Sequence, residues 1–320
     1  MNKFLIIQTA FIGDVILATS VVEKLNQFYP ESKIDFLLRK GNEGLLENHP
    51  IINEVLIWDK KKKKLDNLKA ITKSVKKAQY DVVINLHRFA SSGLITALSG
   101  AKQRIGFKKN PLSFSFTKKV EHKIGDGTHE TQRSQQLIKD LTDNQTASLK
   151  LYPSNKDYND VEQYKTSKYI CIAPTSVWFT KQLPKEQWIK LINKISDKVN
   201  VYLLGGPDDA KQCEEIKELS KNKNVANLSG KLSFLASAAL MQNAQMNYVN
   251  DSAPFHIASA MNAPVTAYFC STVPSFGFGP LSDNSAIVEV KEKLKCKPCG
   301  LHGKKECPEK HFDCGFKIEI

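Results

Sequence analysis

The sequence predicts an α/β protein of two units, each a parallel sheet set between helices. Three observations carry that reading. The chain has 320 residues, which at roughly 100–200 residues per domain points to two domains. Short apolar runs alternate with helical patterns in both halves, and the alternation restarts after a polar, turn-rich stretch, Tyr152-Pro153-Ser154-Asn155-Lys156-Asp157-Tyr158-Asn159-Asp160. Hydrophobic residues make up 41% and charged residues 25%, an ordinary globular balance that argues against long disorder or a fibrous repeat.

The first half opens with an apolar strand, Phe4–Ile7, then a turn and a helical pattern from about Val15 to Asn26. Ile34–Leu38 reads as a strand, and helical stretches lead to Asp81–Leu86, whose core is apolar on both faces as a buried parallel strand requires. In the second half the expected order is strand Tyr169–Ala173, helix Lys185–Ile195, strand Val201–Leu204 and helix Asp208–Ser220. A helix Phe234–Asn243, strand Met246–Val249, helix Ser252–Met261 and strand Val265–Phe269 complete it. The boundary is expected near 155–165, giving domains 1–158 and 159–320.

The net charge is +13 and uneven. Residues 1–150 carry 25 Lys+Arg against 15 Asp+Glu; residues 151–320 carry 21 against 18, so the excess lies in the first half. All four arginines (Arg39, Arg88, Arg104, Arg133) lie there too. A basic chain invites a nucleic-acid reading, but no aromatic–basic interleaving or reading helix supports one. No apolar run approaches the roughly 18 residues needed to span a bilayer. Asp14 interrupts the apolar N-terminus, against a signal peptide, and an odd total of seven cysteines points to a reducing, cytoplasmic setting.

In doubly wound sheets, ligands bind beyond the carboxyl ends of strands, so the strand-to-helix junctions are where chemistry is expected. Gly13-Asp14 ends the first: Asp14 is either a helix cap or a carboxylate placed for general base work. Pro174–Pro184 carries Ser176 and Lys181, groups that can neutralise a phosphate, without the glycines of a Walker loop. Gly205-Gly206-Pro207-Asp208-Asp209 offers carboxylates to a ribose diol, or simply caps a helix. Asn250-Asp251-Ser252-Ala253-Pro254-Phe255-His256 opens a helix whose free N–H groups suit a diphosphate. His256 alone is more often structural than ligand-binding. The absence of an Asp-x-Asp pair argues against a carboxylate-held divalent metal, and no Gly-x-Gly-x-x-Gly follows a strand as a dehydrogenase would require.

In this order, Ile12–Val15, Lys181 with Pro184, Gly205–Pro207, Asn227–Gly230, Asn250–Ser252 with His256–Ala260, Ala263-Pro264, Ser271–Pro274 and Gly279-Pro280 resemble glycosyltransferase family 9, the heptosyltransferases of the lipopolysaccharide inner core. The resemblance covers most of the chain and is closest in appearance to heptosyltransferase II. It implies a GT-B fold, two Rossmann-like domains facing across a cleft, and an inverting, metal-independent transfer from ADP-heptose. The first domain would meet the acceptor, an anionic glycolipid at the inner membrane surface, and the second would bind the donor. Asp14 would be the base, and Lys181, helped by Ser176, would stabilise the departing diphosphate. Ser252 and Ala253 would give N–H groups to phosphate, Asp251 would bind the sugar, and Asp209 would hold the ribose. The backbone at Lys231-Leu232 would meet the adenine, with Gly13 and His256 also on the donor and Arg88 on the acceptor. This chain has Ala253 where the family commonly has glycine, which costs free energy if the backbone there is left-handed. Another nucleotide sugar feeding a different surface glycan, and an epimerase on the same fold, are the neighbouring alternatives.

Lys60–Lys64 is either a solvated run or a contact for anionic lipid. Cys296-x2-Cys299-x7-Cys307-x6-Cys314 stands apart: four thiols within 19 residues suit a structural zinc site, with reduced packing thiols or a disulfide pair as the alternatives.

Overall fold

The computed structural model describes residues 2–320, and the chain divides into two compact units, one ending at Tyr152 and the other spanning Pro153–Ile320. The first contains β1 (Lys3–Ile7), α1 (Ile12–Phe28), β2 (Lys33–Arg39), β3 (Ile52–Trp58), α2 (Lys64–Lys77), β4 (Val82–Asn85), α3 (Ala90–Leu98), β5 (Gln103–Phe107), β6 (Lys118–Val120) and α4 (Glu130–Ile138). Its strands run in the order β3-β2-β1-β4-β5-β6, every pair parallel.

The second unit contains α5 (Asn155–Glu162), β7 (Tyr169–Ala173), α6 (Lys185–Ile192), β8 (Asn200–Leu203), α7 (Ala210–Leu219), β9 (Val225–Asn227) and α8 (Phe234–Gln242). It continues through β10 (Asn247–Asn250), α9 (Ala253–Ala260), β11 (Val265–Phe269), β12 (Ser285–Glu289) and α10 (Asp313–Phe316). Its order, β12-β11-β10-β7-β8-β9, is again wholly parallel. Counted within each unit, both sheets have the dinucleotide-binding order 3-2-1-4-5-6. The winding reverses between β1 and β4 in one, and between β7 and β10 in the other. Such a reversal opens a crevice at the carboxyl ends of the two strands.

The central strands are apolar because helices cover both faces: Leu5, Ile6 and Ile7 are fully buried, as are Val83 and Ile84. Helix α1 ends at Phe28, just before Pro30, whose ring disfavours helical backbone in the residue preceding it. In the second unit the core is closed by the chain's own end. Trp188 packs edge-on to Tyr268 at 5.2 Å, while Phe312, Cys314 and Ile318 lie against the same cluster. The Gln187 amide donates to the carbonyls of Phe316 (2.6 Å) and Ile318 (2.8 Å).

Five strands were not expected from the sequence. β3 and β12 are edge strands with mostly exposed or half-exposed residues, and β6 and β9 are three residues each, so none shows an apolar run. β5 mixes Gln103, Arg104 and Gly106 into its five positions. The helix expected from Asp208 starts at Ala210, because Pro207–Asp209 wind as a 3-10 turn. The junction between units falls six residues before the expected one. There Ser154 caps α5, accepting from the Asp157 N–H, and the Ser233 hydroxyl before α8 donates to Asp157 Oδ1 at 3.1 Å, which ties α5 to the second unit. Among the described residues no helix is long and apolar enough to cross a membrane.

Gly230 holds a left-handed turn (φ +73°), and a Cβ there would stand 2.8 Å from Pro207 Cα. Gly230→Ala should therefore destabilise the protein by more than the roughly 1–2 kcal/mol of left-handed backbone alone. Urea unfolding checks this; a loss below about 0.5 kcal/mol would mean that the turn relaxes freely.

Candidate active site

At the β1/β4 reversal, Asp14 is the third residue of α1, and its carboxylate accepts from the Phe11 N–H at 3.1 Å. It is thus a cap, as the simpler sequence reading has it, but its surroundings are not those of a solvated cap. The side chain is only half exposed, and restricted hydration pushes its pKa up to about 6. The negative charge of Glu130 acts in the same direction, while the Phe11 N–H and the Arg88 guanidinium pull it down. Arg39, at the carboxyl end of β2, lies over the Phe11 ring at 4.7 Å and also senses the Asp14 charge.

Arg88 follows β4 and is braced from behind. Its Nη1 lies 2.7 Å from Nδ1 of His122, whose Nε2 faces Glu130 at 3.0 Å. Arg133 donates to the same carboxylate at 2.9 Å and reaches Asp126 at 3.4 Å. These partners hold Glu130 below the ordinary carboxylate range even though desolvation opposes them. On the other side, Lys60 donates to Thr9 O (2.7 Å) and Thr9 Oγ1 (3.0 Å), and Thr9 Oγ1 lies 3.1 Å from His87 Nδ1. Burial and the Lys60 and Arg88 charges push His87 down to about 3, so its ring is neutral. Burial and neighbouring cations bring Lys60 to about 8. Lys60 is therefore not part of a solvated run, whereas Lys61–Lys64 remain exposed. The sequence reading singled out Asp14, Gly13 and Arg88 here, took Lys60 only as part of the Lys60–Lys64 run, and missed Arg39, His87, His122 and Glu130 as site residues.

At the β7/β10 reversal, Asn250 is fully buried and joins two loops: its Oδ1 accepts from the Leu183 N–H at 2.8 Å, and its Nδ2 faces the carbonyls of Ala173 and Thr175 at 3.4 Å. Asp251 follows. Lys181 Nζ lies 2.6 Å from Asp251 Oδ2, and the Thr272 hydroxyl donates to the same oxygen at 2.7 Å. Ammonium, hydroxyl and carboxylate thus meet at one point, and an ammonium with three donors retains capacity for a second anion. The Ser176 carbonyl accepts from Gln182 Nε2 at 2.7 Å, which folds that loop back toward Lys181.

Ser252 is the N-cap of α9, Ala253 its first residue, and Pro254 sits in the first turn at no cost in hydrogen bonds. Ala253 has ordinary helical backbone and is not among the left-handed residues, so the replacement of glycine costs nothing there. His256 is buried on α9 with its ring 4.5 Å from Phe255. Asp209 Oδ2 accepts from the Gly206 N–H at 2.7 Å, closing the turn after β8. Lys231 and Leu232 follow the Gly230 turn, with the Lys231 N–H on the Leu228 carbonyl at 3.0 Å.

The zinc expectation rests on Cys296, Cys299, Cys307 and Cys314. Cys299 and Cys314 are each raised by burial and by the other thiols of the segment, so the four lie near one another. Yet among the described residues no group of three or more His, Cys, Asp or Glu side chains is arranged to hold a metal ion. Cys314 is packed into the core, Cys299 Sγ donates to the Cys296 carbonyl at 3.3 Å, and Cys296 Sγ is 4.0 Å from His311 Nε2. All seven cysteines are free thiols, so the disulfide alternative is not realised.

Comparison with known proteins agrees with this architecture. The sequence model of glycosyltransferase family 9 (heptosyltransferase) matches residues 68–312. Lipopolysaccharide heptosyltransferase 3 of Escherichia coli K12 is 28% identical over 275 residues, covering 81% of this chain and 80% of that protein. The structure of E. coli ADP-heptose lps heptosyltransferase II superposes with a TM-score of 0.79 at 19% identity, covering 93% of this chain and 95% of that one. The E. coli heptosyltransferase WaaC with ADP does so at 0.73 and 18% identity, covering 89% and 92%. The shared fold is GT-B, built from two Rossmann-like domains.

A carboxylic acid raised toward 6 binds more protons folded than unfolded between about pH 4 and 6, so Asp14 lowers stability as pH rises through that window. Asp14→Asn, which retains an acceptor for the Phe11 N–H, should raise the melting temperature at pH 7.5 and leave it unchanged near pH 3.5. A decrease at pH 7.5 would contradict the raised pKa.

Proposed function

The chain belongs to glycosyltransferase family 9 and is a glycosyltransferase, and from that premise we propose that it moves a heptose from ADP-heptose to a lipopolysaccharide inner-core acceptor. The observation that carries the reading is Asp14: a half-exposed carboxylate at the carboxyl end of β1, beside Arg88, with its pKa pushed up to about 6. A base matched to neutral pH is what deprotonation of a sugar hydroxyl requires.

In this mechanism the acceptor hydroxyl gives its proton to Asp14, and its oxygen forms a bond to the anomeric carbon with inversion. The bond from that carbon to the diphosphate breaks, and its electron pair leaves on the ADP oxygen. Lys181, with Ser176, offsets the charge that develops there. The N–H groups of Ser252 and Ala253 at the start of α9 hold phosphate, and Asp251 binds the donor sugar. Asp209 takes the ribose, Lys231-Leu232 the adenine, and Gly13 and His256 complete the donor contacts. The proposed chemistry uses no metal. Arg88, fixed by His122 and Glu130, contacts an anionic group of the acceptor. Lys61–Lys64 rest on anionic lipid at the cytoplasmic face of the membrane.

The test is a binding screen of ADP-, UDP-, GDP- and CMP-sugars followed by transfer assays. Selective ADP-sugar binding, loss of transfer by at least about 10³-fold in Asp14→Ala, and an acidic limb near pH 6 are expected, because the base must be unprotonated. Selective UDP-sugar binding would replace the donor assignment, and unaltered transfer by Asp14→Ala would remove Asp14 from the mechanism. Anionic liposome binding that is unchanged when Lys61–Lys64 become serine would remove the lipid contact.

A further inference from the structure

The cysteine-rich C-terminal segment carries no assigned role, yet it is tied to the loops that meet at Asp251. The Thr180 N–H donates to the Lys304 carbonyl at 3.1 Å, and the Lys304 N–H donates back to Thr180 Oγ1 at 2.8 Å. The Ser271 hydroxyl donates to the same Thr180 oxygen at 3.0 Å, and the Ser271 N–H to the Thr180 carbonyl at 3.2 Å. The Cys299 N–H then donates to the Ser271 carbonyl at 3.0 Å. Thr180 and Ser271 are each only 1% exposed, so breaking the bonds made by the Thr180 N–H, the Ser271 N–H or the Ser271 carbonyl would leave a buried polar group unpaired.

The neighbours of these two residues are the ones that converge. Lys181 follows Thr180 and Thr272 follows Ser271, and both place a donor on Asp251 Oδ2. Gly303 fills the remaining space: a Cβ there would stand 2.4 Å from Trp178 Cβ and 2.9 Å from Lys181 Cγ. Trp178 Cβ is fixed to its own backbone and cannot swing aside, so any larger residue must displace the Trp178–Lys181 turn or the segment itself.

We propose that residues 299–304 act as a strap that positions Lys181 for the donor diphosphate, with Gly303 and Thr180 as positioning residues; this rests on the proposed role of Lys181. The strap sets the backbone on both sides of Asp251, so that the Lys181 ammonium is aimed before the donor arrives. The work is done by backbone hydrogen bonds and close packing.

A double-mutant cycle read by ADP calorimetry tests this. Lys181→Ala should weaken ADP at least tenfold. Gly303→Ala should weaken it at least fivefold in the native background and less than twofold in the Lys181→Ala background, while raising the KM for ADP-heptose. Thr180→Val, a second variant should Gly303→Ala fail to fold, should behave alike, and Thr180→Ser should retain native affinity. Equal losses in both backgrounds, or no loss from Gly303→Ala and Thr180→Val while Lys181→Ala weakens ADP, would overturn the strap. Unchanged ADP affinity in Lys181→Ala would instead overturn the role of Lys181, and the strap's purpose with it.

Discussion

The buried side chain of Asn250 is the interaction on which the second unit's site depends. A carboxamide at the end of a central strand offers donors and an acceptor from one rigid plane. Here the acceptor takes the Leu183 N–H, and the donors face the carbonyls of Ala173 and Thr175. Both ends of the loop after β7 are thereby pinned to the end of β10, at the place where parallel winding leaves a gap. Lys181 lies inside the pinned loop and Asp251 beside the pin, so their 2.6 Å contact follows from a backbone constraint rather than from the attraction of two free charges. Asparagine suits this position because leucine would fill the space but orphan the buried Leu183 N–H, at roughly 1–3 kcal/mol.

The first unit solves a different problem. Asp14 is held in place without being stabilised as an anion, which is what its proposed role as a base requires. The Phe11 N–H fixes its orientation and lowers its proton affinity, yet desolvation outweighs that contribution and Glu130 adds to it. Glu130 is itself held ionised by His122 and Arg133. The residues behind Arg88 therefore do two things: they orient a guanidinium and keep a negative charge where it raises Asp14.

Much of this was legible in the sequence wherever burial is two-sided. β1, β4, β7 and β11 announce themselves as apolar runs, and the junctions that follow β1, β7 and β10 held the residues that the structure brings together. Edge strands such as β3 and β12 have one face in solvent and no partner beyond them, so their composition looks like loop. Asp14 was visible, but His122 and Glu130 were not, because they lie more than 100 residues further along the chain and meet the Asp14 surroundings only through sheet order. The C-terminal segment's long-range contacts were hidden for a related reason. Cysteine spacing is a local pattern suggesting a local purpose, whereas the contacts that matter are backbone bonds from Cys299 and Lys304 to residues far away in sequence.

The uneven charge acquires a more specific meaning from the Asp14 surroundings. Lys61–Lys64 are exposed, whereas Arg39, Lys60 and Arg88 lie at or just past the carboxyl ends of β2, β3 and β4, and Arg39 and Arg88 both interact with the half-exposed Asp14. The Arg39 charge lowers the Lys60 pKa, so the two cations repel. Such a cluster is stabilised by an incoming anion, which relieves the repulsion among the cations and, by its own charge, raises Asp14 further. Arg88 restrains that rise, since its charge lowers the Asp14 pKa.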